Sequence, residues 1–295
     1  MKDYAYFPGC SAESTGLGLG LSVRAVAAPL EISLLELEDW TCCGSTPYGS
    51  LDEAEAVLVA ARNLALAEKT GLDLVTPCSS CYVTLRKADG HLRENVLLRR
   101  QVNEALQAIG LQYRGTVRVR QLMEVLVNDV TPEFIAGRVQ RPLEGMAVAP
   151  YYGCQMVRPD YGFDHPENPQ TLERILTALG AKTVDFPLKA RCCGGSHTIS
   201  AEGAVLGLLQ KLLKNAADSG AQCLATPCPL CQTNLDAFQG RVNAVGGTDY
   251  HMPVFYVTQL IGLALGLSPD SLGIKSNIVS PAPLLKQLAG VKSGA

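Results

Sequence analysis

Ten of the 11 cysteines fall into two copies of one pattern. Cys10, Cys42, Cys43, Cys78 and Cys81 read C-x31-CC-x34-C-x2-C, and Cys154, Cys192, Cys193, Cys228 and Cys231 read C-x37-CC-x34-C-x2-C. The flanking residues repeat as well. Gly9-Cys10 matches Gly153-Cys154, Cys42-Cys43-Gly44 matches Cys192-Cys193-Gly194, and Thr76-Pro77-Cys78 matches Thr226-Pro227-Cys228. Chance does not produce that register, so the chain is a tandem duplication joined within residues 130–145. Cys223 aligns with Asp73 of the first half and reads as a buried structural thiol.

What the cysteines do depends on where the chain resides. The N-terminus Met1-Lys2-Asp3-Tyr4-Ala5-Tyr6 has no apolar signal core. The longest apolar stretch, Val254 to Leu267, is 14 residues and contains Thr258 and Gln259, too short for a membrane span. A cytoplasmic location is expected, where cysteines serve as metal ligands or catalytic thiols rather than disulfides. With 28 acidic and 25 basic residues, a net charge of −3, the chain lacks the basic character of a nucleic-acid binder.

Each half reads as alternating strands and helices, which favours a parallel sheet. Strand-like runs at Tyr4–Phe7 and Ala147–Tyr151 precede the Gly-Cys pairs. Ile32–Leu37 and Lys182–Phe186 precede the vicinal cysteines, and Leu72–Val75 and Ala221–Ala225 precede the C-x2-C motifs. Between the last two runs of each half lies an amphipathic helix. The first is capped at Ser50-Leu51-Asp52-Glu53, carries Val57, Leu58, Ala61, Leu64 and Ala65 on one face, and stops at Gly71. The second carries Val205, Leu208, Leu209, Leu212 and Leu213, with Gly220 as its stop. The expected fold is α/β: two pseudo-repeated Rossmann-like domains, 1–140 and 141–295, with short parallel sheets. Every cysteine group then lies beyond a C-terminal strand end, along the edge where such sheets bind ligands. Each C-x2-C opens a new helix, whose N-terminal partial positive charge favours thiolates and anionic clusters. Gly16-Leu17-Gly18-Leu19-Gly20 does not fit a dinucleotide fingerprint.

Five thiolates per half exceed what simple centres need. A structural zinc takes four ligands, and so does a cubane iron–sulfur cluster. Five suit a larger or asymmetric iron–sulfur centre, with zinc and thiol–disulfide chemistry as the alternatives. Vicinal cysteines on a regular strand point to opposite faces. Both reach one centre only if the backbone turns, which Gly44 and Gly194 permit.

These residues resemble the cysteine-rich CCG-domain family, in particular the B-type subunits of heterodisulfide reductases. The resemblance spans nearly the whole chain and includes the stretch Met252–Ala264. It implies that each complete motif holds a noncubane [4Fe-4S] cluster with five cysteines, and that two such clusters face one another across a cavity. A disulfide entering there is split, each sulfur binding an iron of one cluster. Electrons arrive through a C-type subunit with ferredoxin-like [4Fe-4S] clusters, linked to an A-type flavoprotein. The substrate is then a disulfide or a sulfur carrier. This chain has no C-x2-C-x2-C-x3-C-P run, so its electrons must come from another subunit. Other members of the family pass electrons between a dehydrogenase or flavoprotein and quinone, and a zinc-stabilised interaction module is a third expectation.

Among nearby residues, His197 is the candidate proton donor to a leaving thiolate, with a plain structural histidine as the equal alternative. Arg158 and Arg191 flank the second motif and suit an anionic substrate group, with exposed surface arginine as the plain alternative. His165 lies in the proline-rich loop Asp164–Pro169, and Arg86-Lys87 follows the first C-x2-C as an exposed helix face. Trp40 and Tyr48 bracket the first vicinal pair, as core packing or as shielding from water. Phe255–Leu267 is expected to be a docking surface or a buried helix.

Overall fold

A computed structural model describes residues 1–45, 52–158 and 162–290. In the first half, β1 (Lys2–Tyr6), α1 (Leu17–Ala27), β2 (Ile32–Glu36), α2 (Glu53–Glu68), β3 (Leu74–Thr76), α3 (Ser79–Glu94), α4 (Val96–Gln107) and β4 (Val119–Gln121) follow one another. A helical segment α5 (Leu122–Val125) continues as a π-helical turn, Leu126–Val130, before α6 (Pro132–Arg138). The second half repeats the plan. Its elements are β5 (Ala147–Pro150), α7 (Thr171–Ala178), β6 (Lys182–Thr183), α8 (Glu202–Asp218), β7 (Cys223–Thr226), α9 (Pro229–Ala237), α10 (Gln239–Gly246), β8 (Val254–Tyr256), α11 (Val257–Ala264) and α12 (Ala282–Gly290).

The strands form two four-stranded sheets, ordered β2-β1-β3-β4 and β6-β5-β7-β8. Every ladder is parallel, as the expected α/β repeat requires. In each sheet the chain runs outward from the first strand to the second, then crosses to the other side. The direction of winding therefore switches between β1 and β3, and between β5 and β7, which is where such sheets open a crevice. The inner strands are buried on both faces, so β3 and β7 read as uniformly buried runs.

The fourth strands, β4 and β8, lie outside the sequence expectation. β4 is only Val-Arg-Gln, and its Arg120 is buried through ion pairs rather than by apolar character. β8 runs directly into α11, so one apolar stretch contains a strand and a helix.

Helices α2 and α8 bury the expected stripes, including Val57, Ala61 and Leu64 in one and Val205, Leu209, Leu212 and Leu213 in the other. Leu208 is an exception at 39% exposed. The cap of α2 is Asp52, whose side chain accepts from Glu55 N, while Ser50 lies outside the described residues.

The halves interlock. Helix α11 of the second packs on α1 of the first, and α6 of the first packs on α7 of the second. Their contact belongs to one apolar core that contains Leu19, Val23 and Val26 together with Leu260, Ile261 and Ala264. Ser22 Oγ and Thr258 Oγ1 lie 2.6 Å apart within it. The glycines of α1 make the approach possible: a Cβ on Gly18 would stand 2.9 Å from Ser276 Oγ and 3.0 Å from Gln259 Nε2. These glycines serve close packing. Phe255, Val257, Leu260 and Ile261 are fully buried, which corrects the expectation of a docking surface over most of Phe255–Leu267. Among the described residues no helix is long and apolar enough to cross a membrane.

Candidate functional site

The Thr-Pro-Cys repeat has a local cause. Thr76 Oγ1 accepts from Cys78 N at 3.4 Å, and Thr226 Oγ1 accepts from Cys228 N at 3.4 Å. The hydroxyl closes the turn between strand and helix and leaves each Cys at the N-cap of its helix, α3 or α9. Backbone N–H groups at the start of α9, those of Leu230 and Cys231, then act on the Cys228 sulfur.

The glycines before the first cysteine of each set let that loop press on the helix. Gly9 and Gly153 have φ of 77° and 66°, and a Cβ there would stand 2.8 Å from Cys81 Sγ and 2.9 Å from Cys231 Sγ. Gly44 and Gly194 also have positive φ, 84° and 76°, which is the backbone turn the vicinal pairs need.

Within each set the sulfurs act on one another. In the first, Cys42 sharing its proton, followed by Cys81, holds the Cys43 thiol far below its ordinary value against the opposing effect of burial. Cys81 is pushed up, by Cys43 first, then Cys78, then burial. In the second, Cys154 draws Cys192 down to about 6, with Gly194 N and the charges of Arg158 and His197 adding to it. Cys193 Sγ and Cys231 Sγ lie 3.5 Å apart. Cys231 draws Cys228 down to about 7 despite full burial, and Ser80 of the first half assists. Cys43, Cys78, Cys81, Cys193, Cys228 and Cys231 are buried, whereas Cys10 and Cys192 are exposed and Cys42 and Cys154 half-buried. Cys223 is fully buried, apart from both sets, and burial alone pushes its thiol up.

Residues beside the two sets touch at the junction of the halves. Ser80, between Cys78 and Cys81, donates to Gln155 Oε1, next to Cys154. A cavity lined by Cys154, Cys192, Cys193, Cys228 and Cys231 is also lined by Ser79. The donor set fits a thiophilic group. Among the described residues no group of three or more His, Cys, Asp or Glu side chains is disposed to hold a single ion. Two buried hydroxyls beside the thiols, Tyr6 Oη and Ser79 Oγ, have no hydrogen-bond partner among the described residues. A buried polar group without a partner costs about 1–3 kcal/mol, so each marks a place for a further acceptor or donor.

The family model of the cysteine-rich CCG domain matches residues 4–86 and 148–236. The chain belongs to this family. Relatives cover its whole length. It is 36% identical to the 8-methylmenaquinol:fumarate reductase membrane anchor subunit of Wolinella succinogenes, over 96% of this chain and 99% of that protein. It is 32% identical to the B-type subunit of the ferredoxin/F420H2-dependent CoB-CoM heterodisulfide reductase of Methanosarcina acetivorans, over 100% and 99%. A protein of Archaeoglobus profundus, described as similar to the B-type subunit of heterodisulfide reductase, is 32% identical over 92% and 93%. A crystal structure of a hypothetical Helicobacter pylori protein shares the fold, with a TM-score of 0.78 at 17% identity, covering 95% of this chain and 52% of that one.

The remaining residues sort by position. His197 is exposed in the turn after the second CCG run, its Nδ1 3.3 Å from Ser200 Oγ. Arg158 donates to Ala190 O at 3.2 Å, within electrostatic reach of Cys192. Arg191 is exposed, and its carbonyl accepts from Tyr151 Oη at 2.7 Å. His165 is an element of its loop, with Nδ1 accepting from Glu167 N and Asn168 N. Trp40 packs edge-on against Phe7 at 5.3 Å, while Tyr48 lies outside the described residues. Lys87 is exposed and Arg86 half-buried.

Two asparagines escaped the sequence reading. Asn63, buried in α2, bonds Thr41 through N and O and fixes the approach to Cys42. Asn234 donates to Cys193 O at 3.3 Å. The available signal was a polar residue on the apolar face of α2, between Ala61 and Leu64.

Proposed function

We propose that this chain is the iron–sulfur subunit of a heterodisulfide reductase-like complex and reduces or forms a sulfur–sulfur bond. In this reading Cys10, Cys42, Cys43, Cys78 and Cys81 hold one noncubane [4Fe-4S] cluster, and Cys154, Cys192, Cys193, Cys228 and Cys231 hold a second. The supporting observation is that the C-x2-C loop of one five-cysteine set touches the other half beside its own, Ser80 against Gln155. Bound there, two clusters supply one electron each, matching the two that a disulfide takes up.

The chain's own residues do the rest. Asn63 and Asn234 hold the vicinal pairs in place, and the Trp40–Phe7 contact keeps water from one side of the first set. His197, exposed beside Cys192, delivers a proton to the leaving thiolate. The electron donors are a C-type ferredoxin-like subunit and an A-type flavoprotein, in the cytoplasm.

A second reading, electron relay between a flavoprotein and quinone, draws on the full-length similarity to the menaquinol:fumarate reductase protein. Anaerobic purification with iron, sulfide and zinc analysis comes first. Two [4Fe-4S] equivalents per chain are expected; less than one sinks the paired-cluster reading, and stoichiometric zinc establishes the interaction module. Titration with a disulfide then separates the other two. Altered cluster spectra support sulfur chemistry, and unchanged spectra in a fully loaded protein support the relay.

A further inference from the structure

The two C-x2-C motifs differ where they touch. The first encloses Ser79-Ser80 and the second Pro229-Leu230. Both serines are buried, at 1% and 2% exposure, and both belong to the neighbourhood of the opposite half's sulfurs. Ser79 Oγ has no hydrogen-bond partner among the described residues and lines the cavity formed by Cys192, Cys193, Cys228 and Cys231. Ser80 Oγ donates to Gln155 Oε1, beside Cys154 of the other half.

A serine has a single proton to give. Ser80 gives that proton to Gln155 Oε1, which leaves Ser79 as the hydroxyl able to donate into the cavity. Pro229 and Leu230 have no hydroxyl to offer in return. Hydrogen bonds to cluster sulfurs stabilise the added negative charge and raise reduction potential.

We propose that Ser79 is a positioning residue that donates a hydrogen bond across the junction to the second-half centre, held there by the Ser80–Gln155 contact, so that this centre accepts electrons at a higher potential than the first. The inference rests on the iron–sulfur reading above. It gives the pair a direction: the first-half centre is the stronger reductant, and an electron entering the pair settles on the second.

The test is a redox titration of anaerobic holoprotein followed by electron paramagnetic resonance. Cys43→Ala and Cys193→Ala proteins assign the signals to their halves. In Ser79→Ala the second-half centre becomes about tenfold harder to reduce, ~59 mV for a one-electron couple. The first-half centre does not move. Gln155→Leu, which releases Ser80 and loosens the loop, produces a smaller shift of the same sign and serves as an independent variant should Ser79→Ala misfold. Ser79→Thr, which keeps the hydroxyl, restores part of the potential relative to Ser79→Ala. An unmoved second-half potential, or an equal shift of both centres, overturns the proposal while leaving the cluster assignment standing. Wild-type protein without iron removes both.

Discussion

The two halves use one scaffold and stabilise it differently. In the first, β4 carries Arg120, 3% exposed, which binds Asp129 through two contacts of 2.7 and 2.9 Å and Glu124 at 3.0 Å. In the second, the neighbour of β7 carries fully buried Phe255 in register with Ala225. A buried ion network therefore occupies a place that the other half fills with an aromatic ring. The sulfur sets differ in the same spirit. Arg158, His197 and Ser80 act on the second, whereas the first has no arginine or histidine among the principal influences on Cys42, Cys43 or Cys81. Duplication preserved the cysteine register and left the surroundings free to diverge.

The sharpest way to break the comparison is to delete one set at a time. Cys43→Ala and Cys193→Ala should each remove about half of the bound iron, since two equivalent [4Fe-4S] centres share it. Loss of all iron from either single variant would mean that the halves load as one unit.

Arg120→Ala comes next. It leaves Asp129 to Lys2 and Tyr4 and Glu124 to Arg118, and should cost about 3 kcal/mol in chemical denaturation. Phe255→Leu, at the corresponding strand, keeps an apolar side chain and should cost less, about 1–2 kcal/mol.

Gly9→Ala and Gly153→Ala each force a Cβ against a cysteine sulfur and strain a positive φ, at about 1–3 kcal/mol. Each should lower iron loading in its own half, read by the assigned signals.

Acid probes the first half alone. Arg120 holds the Asp129 carboxyl well below its ordinary range, with Lys2 and Tyr4 contributing and burial opposing. A depressed carboxylate stabilises the fold above its unfolded value, about 3.9, and that contribution is lost as pH falls through the folded value. Stability should therefore drop below about pH 4, and Asp129→Asn should flatten that part of the profile.

The smallest effect concerns Cys192. In reduced apoprotein, Arg158→Gln removes a nearby positive charge and should slow alkylation of Cys192 a few-fold at neutral pH, read by peptide mass spectrometry.

The cysteine register made most of this architecture legible before any coordinates. It located three strands per half, the two C-x2-C helices and the edge on which the sulfurs gather. What it left hidden was long-range. Val119–Gln121 carries its burial through ion pairs, so no apolar pattern announced β4. Val254–Leu267 is apolar apart from Thr258 and Gln259, so no change of period separated β8 from α11. The glycines of α1 looked like a failed nucleotide loop because their partner, the segment around Gln259 and Ser276, lies more than 200 residues away in sequence. Ser79 and Ser80 carried no signal in the sequence because the cavity Ser79 lines and the Gln155 that Ser80 touches belong to the other half.

That pairing of Ser-Ser with Pro-Leu has an evolutionary corollary. In a homodimer with twofold symmetry, any residue placed at the junction appears on both sides and tunes both sites alike. Fusion into one polypeptide lifts that constraint, so a single codon can bias one member of an otherwise matched pair. The chain gains polarity without having to invent a second scaffold.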